Sequence, residues 1–250
     1  MKLTLPISQL ITPCIVHKIE PYIDTYLINW HSEIDNRYND KEHIMHVSKP
    51  ILNIYNPEAD FYNAPARNNY CSCHLGMSNV GVVQKDYYYE QERPSLSRQE
   101  IKDKISEKVK QFRNVGIKNI ALENCSYYPY PAYQYICEPG FIKEVIEENN
   151  IGFCFDIAHA IVSSWNMKDT LFNYMKRLPL DRITEIHLSG HGMVGEEARD
   201  LHEVPGNNQF EILDKIIKTW NDLKDVYVVV EYYRCFETLC EIYKRLKYRY

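Results

Sequence analysis

From about residue 70 onward, the sequence alternates short apolar runs with amphipathic stretches, and this order constrains the fold more than any other feature. Runs typical of strands are NNYCSCHLGMS (68–78), IKNIALENCS (117–126), IGFCFDIAHA (151–160), RITEIHLSGH (182–191) and VYVVVEYYR (226–234). Stretches of helical period are 98–116, 138–150, 167–180, 207–223 and 236–250. Strand–helix units in series imply a parallel sheet with right-handed crossovers, and more than four units favour a closed barrel.

The chain length suits one such barrel. Its 250 residues match the usual size of a (β/α)8 TIM barrel, so we expect a single α/β domain over residues 1–250. The N-terminal third is less regular and offers LINWHSEID (27–35) and KEHIMHVSKPIL (41–52) as possible strands. No linker, repeat or low-complexity tract divides the sequence.

Composition argues against nucleic-acid and membrane partners. The net charge of −5 provides no overall basic field for nucleic acid. No run approaches the ~18 apolar residues of a membrane span, and MKLTLPISQLITPC, with one Lys and a Pro-interrupted apolar stretch, predicts no signal peptide. The eight cysteines are scattered, so we expect reduced thiols in the cytoplasm. The CSC at 71–73 lacks the CxxC spacing of a zinc knuckle and predicts small buried thiols on a strand.

Carboxylates and imidazoles end or interrupt almost every predicted strand. These residues are His46, His74, Glu123, Asp156, His159, His187, His191 and Glu231, with Asp200 and His202 in the predicted loop ARDLHEVPG. The C-terminal ends of parallel strands meet on one face of a barrel, where like charges must be neutralised. Carboxylate with imidazole suits Fe, Mn or Zn, so the pattern predicts a metal site.

Simpler readings exist for single residues. A lone buried acid such as Asp156 commonly caps a helix or pairs with an arginine. His17, His31 and His43 are expected to be exposed or satisfied in the core, and His191, beyond its strand, is expected to contact the substrate or a ligand rather than the metal. Tyrosine is abundant, with 21 residues. We assign Tyr127 and Tyr232, which follow strand ends, to substrate binding as flat apolar rings with a polar tip, although half-buried packing is the commoner role.

The segments ENCS, FDIAHA, HLSGH, DLH and VVVEYY, preceded by SCHLGMS, carry a family resemblance. The chain resembles the multinuclear non-heme iron-dependent oxidative enzymes (MNIO), xylose-isomerase-like TIM barrels that modify ribosomally made peptides. The resemblance covers roughly residues 42–240 and is strongest over 119–233. The ligand pattern is also similar to that of endonuclease-IV-type barrels, which hold three zinc ions.

The resemblance implies how the metal ligands are divided. Glu123 would bridge two metals, with His46 and His74 completing the first site; His43 is an alternative to His46. The second site would combine Glu123 with Asp156, His187 and Glu231, which are also the expected catalytic residues. The third site would use His159, Asp200 and His202. His159 stands where the peptide-modifying family often has Asn, which brings DIAH closer to the endonuclease pattern.

The resemblance further implies two or three iron ions in mixed Fe(II)/Fe(III) valence and O2 as co-substrate. The substrate would be a precursor peptide, modified commonly at Cys and sometimes at Asp or Asn, and a separate peptide-recognition protein often presents it. Two other enzymes share the skeleton: a trinuclear zinc phosphodiesterase acting on damaged DNA, and a single-metal sugar isomerase or epimerase using Glu123, Asp156, His187 and Glu231. A barrel that only binds is the remaining alternative.

Overall fold

Eight parallel strands close into a barrel in the computed structural model, which describes residues 1–7, 13–29, 42–47, 51–53, 70–79, 82–84, 88–91, 95–219 and 223–250. The barrel strands are β1 (Lys2–Ile7), β2 (Thr25–Asn29), β3 (Glu42–Val47), β4 (Tyr70–His74), β7 (Asn119–Glu123), β8 (Gly152–Asp156), β9 (Ile183–Leu188) and β12 (Tyr227–Val230). Around the barrel they run in the order β1-β12-β9-β8-β7-β4-β3-β2. The predicted TIM-barrel fold is thereby confirmed.

Helices and two hairpins complete the described structure. The helices are α1 (Pro13–Ile19), α2 (Arg98–Asn114), α3 (Pro139–Asn149), α4 (Ile157–Asn166), α5 (Leu171–Lys176), α6 (Asn207–Thr219) and α7 (Phe236–Arg249). The hairpin strands are β5 (Val82–Gln84) with β6 (Tyr89–Gln91), and β10 (Gly190–Val194) with β11 (Glu197–Glu203). Short 3-10 turns occur at Glu20–Tyr22, Ile51–Asn53, Pro131–Tyr133 and Leu180–Arg182.

Local sequence signals explain where the outer helices begin and what they bury. Helix α2 begins at a capping box, in which the Ser97 side chain accepts from the Glu100 backbone and the Glu100 side chain accepts from the Ser97 backbone. Its buried stripe is Ile101, Ile105, Val109 and Phe112. Helix α3 begins with Pro139 and ends before Asn150, which adopts a left-handed conformation.

The barrel interior contains two kinds of layer. One is largely apolar and comprises Leu27, Ile44, Tyr70, Ala121, Cys154, Tyr227 and Val229. The other lies at the C-terminal strand ends, where several polar side chains are buried: Glu123, Asp156 and His187 are at most 1% exposed. The first layer fills the barrel as a packed core, and the second forms the candidate site.

Strand β8 corrects one prediction. We expected IGFCFDIAHA (151–160) to be a strand, but the strand ends at Asp156 and helix α4 begins at Ile157. Asp156 is the N-cap residue, and its side chain accepts a hydrogen bond from the backbone N–H of His159. His159 therefore lies in the first turn of a helix rather than on a strand.

The next two units also differ from prediction. The expected helix over 167–180 is reduced to α5, which begins after the capping residue Thr170. The expected strand over 182–191 divides into β9 and β10, and the predicted loop ARDLHEVPG lies largely in β11. Hydrogen bonding between β10 and β11 stabilises this segment as an antiparallel ribbon.

The N-terminal third is partly as predicted. The possible strands at 27–35 and 41–52 correspond to β2 and β3, and the remainder of the first lies outside the described residues, as does His31. Strand β1 was not predicted, because Pro6 interrupts its apolar run and removes one backbone donor. The cysteines of CSC are buried and unpaired as expected, and the single domain over 1–250 stays a prediction. Among the described helices, none is long and apolar enough to cross a membrane.

Candidate metal centre

Glu123, the last residue of β7, lies at the centre of the polar layer. Its Oε2 atom is 3.5 Å from His74 Nδ1 and 3.9 Å from His46 Nε2. Strand pairing creates this arrangement, since His74 on β4 is the register partner of Glu123, and His46 lies near the end of β3, which pairs with the other side of β4. The ligand atoms of these three residues lie within 4.8 Å of one another, a spacing that one metal ion can span.

The other oxygen of Glu123 faces a second set of side chains. Oε1 is 3.3 Å from His187 Nδ1, and this nitrogen is 3.5 Å from Glu231 Oε1. Asp156 is the register partner of His187. Ligand atoms of Glu123, Asp156, His187 and Glu231 all lie within 4.8 Å of one another. The two groups therefore share Glu123, as expected for a bridging carboxylate.

Asp200 and His202 approach the site from the β10–β11 hairpin. Asp200 Oδ2 is 3.1 Å from His159 Nε2 and 3.8 Å from His202 Nε2. His202 Nε2 is closer to Glu231 Oε2, at 3.3 Å. The predicted third set is brought together, but more loosely than the first two, and it also touches the second set through Glu231.

The hairpin holds His202 in an unusual backbone conformation. Its φ of 46° lies in the left-handed region. The register of the hairpin shifts at this point, because Gly190 pairs with Glu203 while His191 pairs with Asp200. Such a conformation costs on the order of 1 kcal/mol or more in a non-glycine residue and is concentrated at functional sites. Gly190 permits the close chain approach, because a Cβ there would lie 2.5 Å from the backbone oxygen of Val204.

Several buried oxygen and nitrogen atoms at the site make no hydrogen bond within the described part of the chain. They are both carboxylate oxygens of Glu123, Asp156 Oδ2, Asp200 Oδ1 and His187 Nδ1. An unsatisfied buried polar atom is costly, and more so when it is charged. Metal coordination would satisfy these atoms together, so the donor set fits metal ions that accept mixed oxygen and nitrogen ligands.

Asp156 combines the structural and the metal-binding interpretations. Its Oδ1 atom accepts a hydrogen bond from His159 N at 2.6 Å and caps helix α4. Its Oδ2 atom is one of the unsatisfied atoms. The cap therefore accounts for one oxygen of this carboxylate and leaves the other available to a ligand.

Hydrogen bonds fix which ring nitrogen of three histidines faces the carboxylates. His159 Nδ1 donates to the backbone oxygen of Asn124 at 2.7 Å, which leaves Nε2 toward Asp200. His46 Nδ1 lies 3.0 Å from Ser72 Oγ, which itself donates to a backbone oxygen, and Nε2 is left toward Glu123. His187 Nε2 donates to Glu185 Oε1 at 2.7 Å. Each ring presents its other nitrogen to the site, the arrangement that metal-binding histidines adopt.

When no metal is bound, the carboxylates at the site interact with protonated histidines, and these interactions shift the pKa of both. Burial lowers the pKa of His74, but the Glu123 carboxylate and the Cys125 side chain together outweigh burial and raise the pKa to about 9. Burial would raise the pKa of Glu231, yet His187 and His202 bring it down to about 2. Burial raises the pKa of Asp156 to about 6. His159 lowers this pKa, whereas the neighbouring carboxylates raise it further. Metal binding must therefore displace protons from imidazoles.

Three participants were not identified from the sequence. The Asn124 side chain donates to Asp156 O at 3.0 Å and accepts from Asp156 N at 2.9 Å, which ties the ends of β7 and β8 together. Glu185 is fully buried beneath His187. Cys154 Sγ lies within 4.8 Å of ligand atoms of Glu123 and His187. Glu185 and Cys154 occupy inward-facing positions beside recognised strand-end residues, a period-two signal that could have indicated them.

The residues assigned to substrate binding have different surroundings. His191 is half-buried, and its Nδ1 accepts a hydrogen bond from Gln209 Nε2 at 2.9 Å. Tyr127 is half-buried and lines a cavity of about 480 Å³ formed mainly by tyrosines and prolines after β7. Tyr232 is only 6% exposed and packs in the core, whereas Tyr233 is 36% exposed. Burial of Tyr232 favours a packing role, and its part in substrate binding stays a prediction.

The alternative assignments of histidine are separated by the strand pleat. His46 points to Glu123, whereas His43 lies beside the Tyr26 ring at a centroid distance of 5.7 Å. Residues three apart on a strand face opposite sides, so only His46 enters the barrel. His17 is exposed on helix α1 beside Glu20, as expected.

Fold and site together define a (β/α)8 barrel with a histidine–carboxylate cluster, suited to metal ions, at the C-terminal strand ends. Residues 65–246 match the family model described as RiPP precursor modification enzyme MbnB/TglH/ChrH. The chain belongs to this family, which confirms the resemblance seen in the sequence.

Curated relatives are more remote. A UPF0276 protein of Shewanella oneidensis is 30% identical over 93 residues, covering 37% of this chain and 33% of that protein. A UPF0276 protein of Shewanella amazonensis is 30% identical over 125 residues, covering 50% of this chain and 42% of that protein. The chain thus matches less than half the length of these relatives.

Solved structures share the fold. A D-tagatose 3-epimerase-like protein has a TM-score of 0.61 at 17% identity, over 100% of this chain and 99% of that one. An AP endonuclease of family 2 from Brucella melitensis has a TM-score of 0.54 at 11% identity, over 92% of each chain. At these identities the likeness supports the xylose-isomerase-like barrel and nothing further.

Proposed function

We propose that the protein is an iron-dependent oxidase that uses O2 to modify a ribosomally synthesised precursor peptide, commonly at Cys and alternatively at Asp or Asn. Family membership supports a precursor peptide as the class of substrate. The observation that carries the proposal is Glu123, whose two unsatisfied oxygens face different sets of histidines. A carboxylate in this position suits two metals held side by side.

The proposed ligands are His46, His74 and Glu123 for one metal, and Glu123, Asp156, His187 and Glu231 for the second. His159, Asp200 and His202 would hold a third. Iron bound by these residues, in mixed Fe(II)/Fe(III) valence, would supply the redox chemistry that couples substrate oxidation to reduction of O2.

The chain's own residues prepare the site. Asn124 and the cap of helix α4 fix Asp156 and His159 before any ligand arrives, so little reorganisation is needed. Burial of Glu123 and His187 excludes water around the reacting groups. The tyrosine cavity beside Tyr127 offers flat rings for a peptide. A separate protein that presents the peptide, and a location in the cytoplasm, belong to the same proposal.

The experiment is co-expression with a small Cys-bearing peptide encoded beside the gene, followed by mass spectrometry of the peptide. We expect a mass change that indicates oxidation with the wild-type protein and none with Glu123→Gln. Because a presenting protein is part of the proposal, its neighbouring gene is included in a second arm. An unmodified peptide in both arms, with iron bound to the wild-type protein, would contradict the proposal.

One observation favours a second candidate, the trinuclear zinc phosphodiesterase. His159 offers an imidazole, rather than an amide, to a third metal beside Asp200. Phosphodiester substrates require basic groups near the metals. The arginines on and beside the described β10–β11 hairpin are paired: Arg199 with Glu197, and Arg234 with Glu203 at 2.6 Å. This pairing supports the peptide oxidase over the nuclease, as does the family.

A further inference from the structure

Glu185 is a buried carboxylate that the proposed ligand set does not use. It is fully buried on β9, two residues before His187, so both side chains point into the barrel. Glu185 Oε2 accepts a hydrogen bond from the Tyr70 hydroxyl at 3.0 Å, and Glu185 Oε1 accepts one from His187 Nε2 at 2.7 Å. Both oxygens are therefore satisfied within the protein.

The bond to His187 determines which nitrogen the ring presents. A carboxylate can only accept, so Nε2 carries a proton, and Nδ1 is the nitrogen that can give its lone pair to a metal that displaces its proton. That Nδ1 lies 3.3 Å from Glu123 Oε1 and 3.5 Å from Glu231 Oε1, and it makes no hydrogen bond within the described residues. The ring thus directs Nδ1 at the space between the carboxylates of Glu123 and Glu231.

We propose that Glu185 is a positioning residue, which binds His187 Nε2–H and so orients Nδ1 as the metal ligand. This inference rests on the proposed metal centre and deepens it. The Tyr70 hydroxyl donates a hydrogen bond to Oε2 of Glu185. This bond restricts rotation of the carboxylate and keeps Oε1 within hydrogen-bond distance of His187 Nε2. Carboxylate–histidine–metal chains of this kind raise the basicity of the ligand, and loss of the carboxylate typically weakens metal binding by about 10- to 100-fold.

The first test needs no variant of Glu185. Wild-type protein with ¹⁵N-labelled histidine is loaded with Zn²⁺ as a diamagnetic probe, and proton–nitrogen correlations identify the protonated nitrogen of each ring. The His187 signals are assigned by their loss in His187→Gln. We expect a slowly exchanging proton on Nε2 and a metal-bound Nδ1. A proton on Nδ1, or metal on Nε2, would overturn the proposal.

The second test compares three variants by competition for Zn²⁺ against a chromophoric chelator. Glu185→Leu removes the acceptor and should bind about 10- to 100-fold more weakly. Glu185→Gln keeps a carbonyl acceptor but loses the charge, so its affinity should lie between those of wild type and Glu185→Leu while the Nε2 proton signal is retained. Tyr70→Phe removes the hydrogen bond to Oε2 but leaves the Oε1 contact in place, so it should weaken binding less than Glu185→Leu does.

The outcomes distinguish this inference from the proposed function. Failure of the wild-type protein to bind Zn²⁺ or iron would remove the metal centre itself. Equal affinity in wild type and Glu185→Leu would overturn only the positioning role. Loss of one entire metal in both Glu185→Leu and Glu185→Gln would make Glu185 a ligand and would also overturn it. Should Glu185→Leu fail to fold, the wild-type spectrum and Glu185→Gln still decide the question.

Discussion

Glu123 and Glu185 are both buried carboxylates inside the same barrel, but their surroundings differ. Glu185, on β9 two residues before His187, has a hydrogen-bond donor at each oxygen. Glu123, at the strand ends, faces imidazoles at 3.3 to 3.9 Å and makes no hydrogen bond in the described structure. Burial alone therefore does not distinguish a structural acid from a ligand. The hydrogen bonds that an acid lacks are the informative feature.

Changing Glu123 should have the largest effect on metal binding and activity. We expect Glu123→Gln to abolish activity and to lower metal content at both sites, because one charged ligand shared by two metals is lost. His191→Ala is the control, since His191 is held by Gln209 and lies outside the proposed ligand set. Metal analysis of both purified variants provides the measurement. Iron content in Glu123→Gln equal to that of wild type would remove the bridging role.

The next largest effect concerns the outer ligands. Single changes to Ala at His159, Asp200 or His202 should each remove about one metal per chain and leave the other sites mostly filled. The structure makes His202 the most sensitive test, because it also lies 3.3 Å from Glu231. Metal stoichiometry of the three variants checks this. Should every site empty in each variant, the division into three sets is wrong.

A change at Asp156 should have a smaller effect: it should weaken metal binding without lowering the stability of the metal-free protein. Asp156→Asn should bind less metal, yet its metal-free form should be at least as stable as metal-free wild type. Asn can keep the helix cap, because its amide oxygen can accept from His159 N. The change also removes a buried charge. Thermal unfolding of both proteins in chelator is the measurement.

The pH dependence of the unfolding free energy provides a second test of the role of Asp156. The folded-state pKa of Asp156 is about 6, against an ordinary value of 3.8. Between these values the folded protein binds more protons than the unfolded chain, so this group makes stability fall as pH rises from about 4 to 6. Each unit of pKa shift corresponds to about 1.4 kcal/mol. Metal-free Asp156→Asn should lack this part of the slope, and a variant that melts well below wild type at pH 7 would show that Asp156 is chiefly structural.

The smallest predicted effect is at Tyr127. Tyr127→Ala should leave metal content unchanged and raise the KM for the peptide several-fold, because one ring contact is worth on the order of 1 kcal/mol. Tyr248→Ala is the control, since Tyr248 is exposed near the end of helix α7 and has no assigned role in the site. Steady-state kinetics with the peptide would decide. An unchanged KM in Tyr127→Ala would remove this residue from substrate binding.

Strand order and strand-end ligands could be predicted because both depend on local pattern. Apolar runs located β7, β8, β9 and β12, and the rule that parallel strands end on one face placed Glu123 near His187. The cap at Asp156 was foreseen only as an alternative, because a short apolar run containing Ala reads equally as strand or helix.

Contacts between distant segments could not be predicted in the same way. The roles of Asn124 and Glu185 depend on the register of neighbouring strands and on which oxygen meets which nitrogen. The left-handed φ of His202 depends on the β10–β11 hairpin. The sequence HGMVGEEARDLH (191–202) contains no Asn-Gly or Asp-Gly pair that would predict this hairpin. These features follow from tertiary packing rather than from periodicity.

The central claim is that Glu123 joins two metals of an iron centre, and metal analysis of anaerobically purified protein tests it most directly. Iron, zinc, manganese and magnesium are quantified per chain, for wild type and for Glu123→Gln purified in parallel. We predict two or three iron ions per wild-type chain and a loss of iron from both shared sites in the variant. Three zinc ions, or a single manganese or magnesium ion, in the wild-type protein would contradict the account.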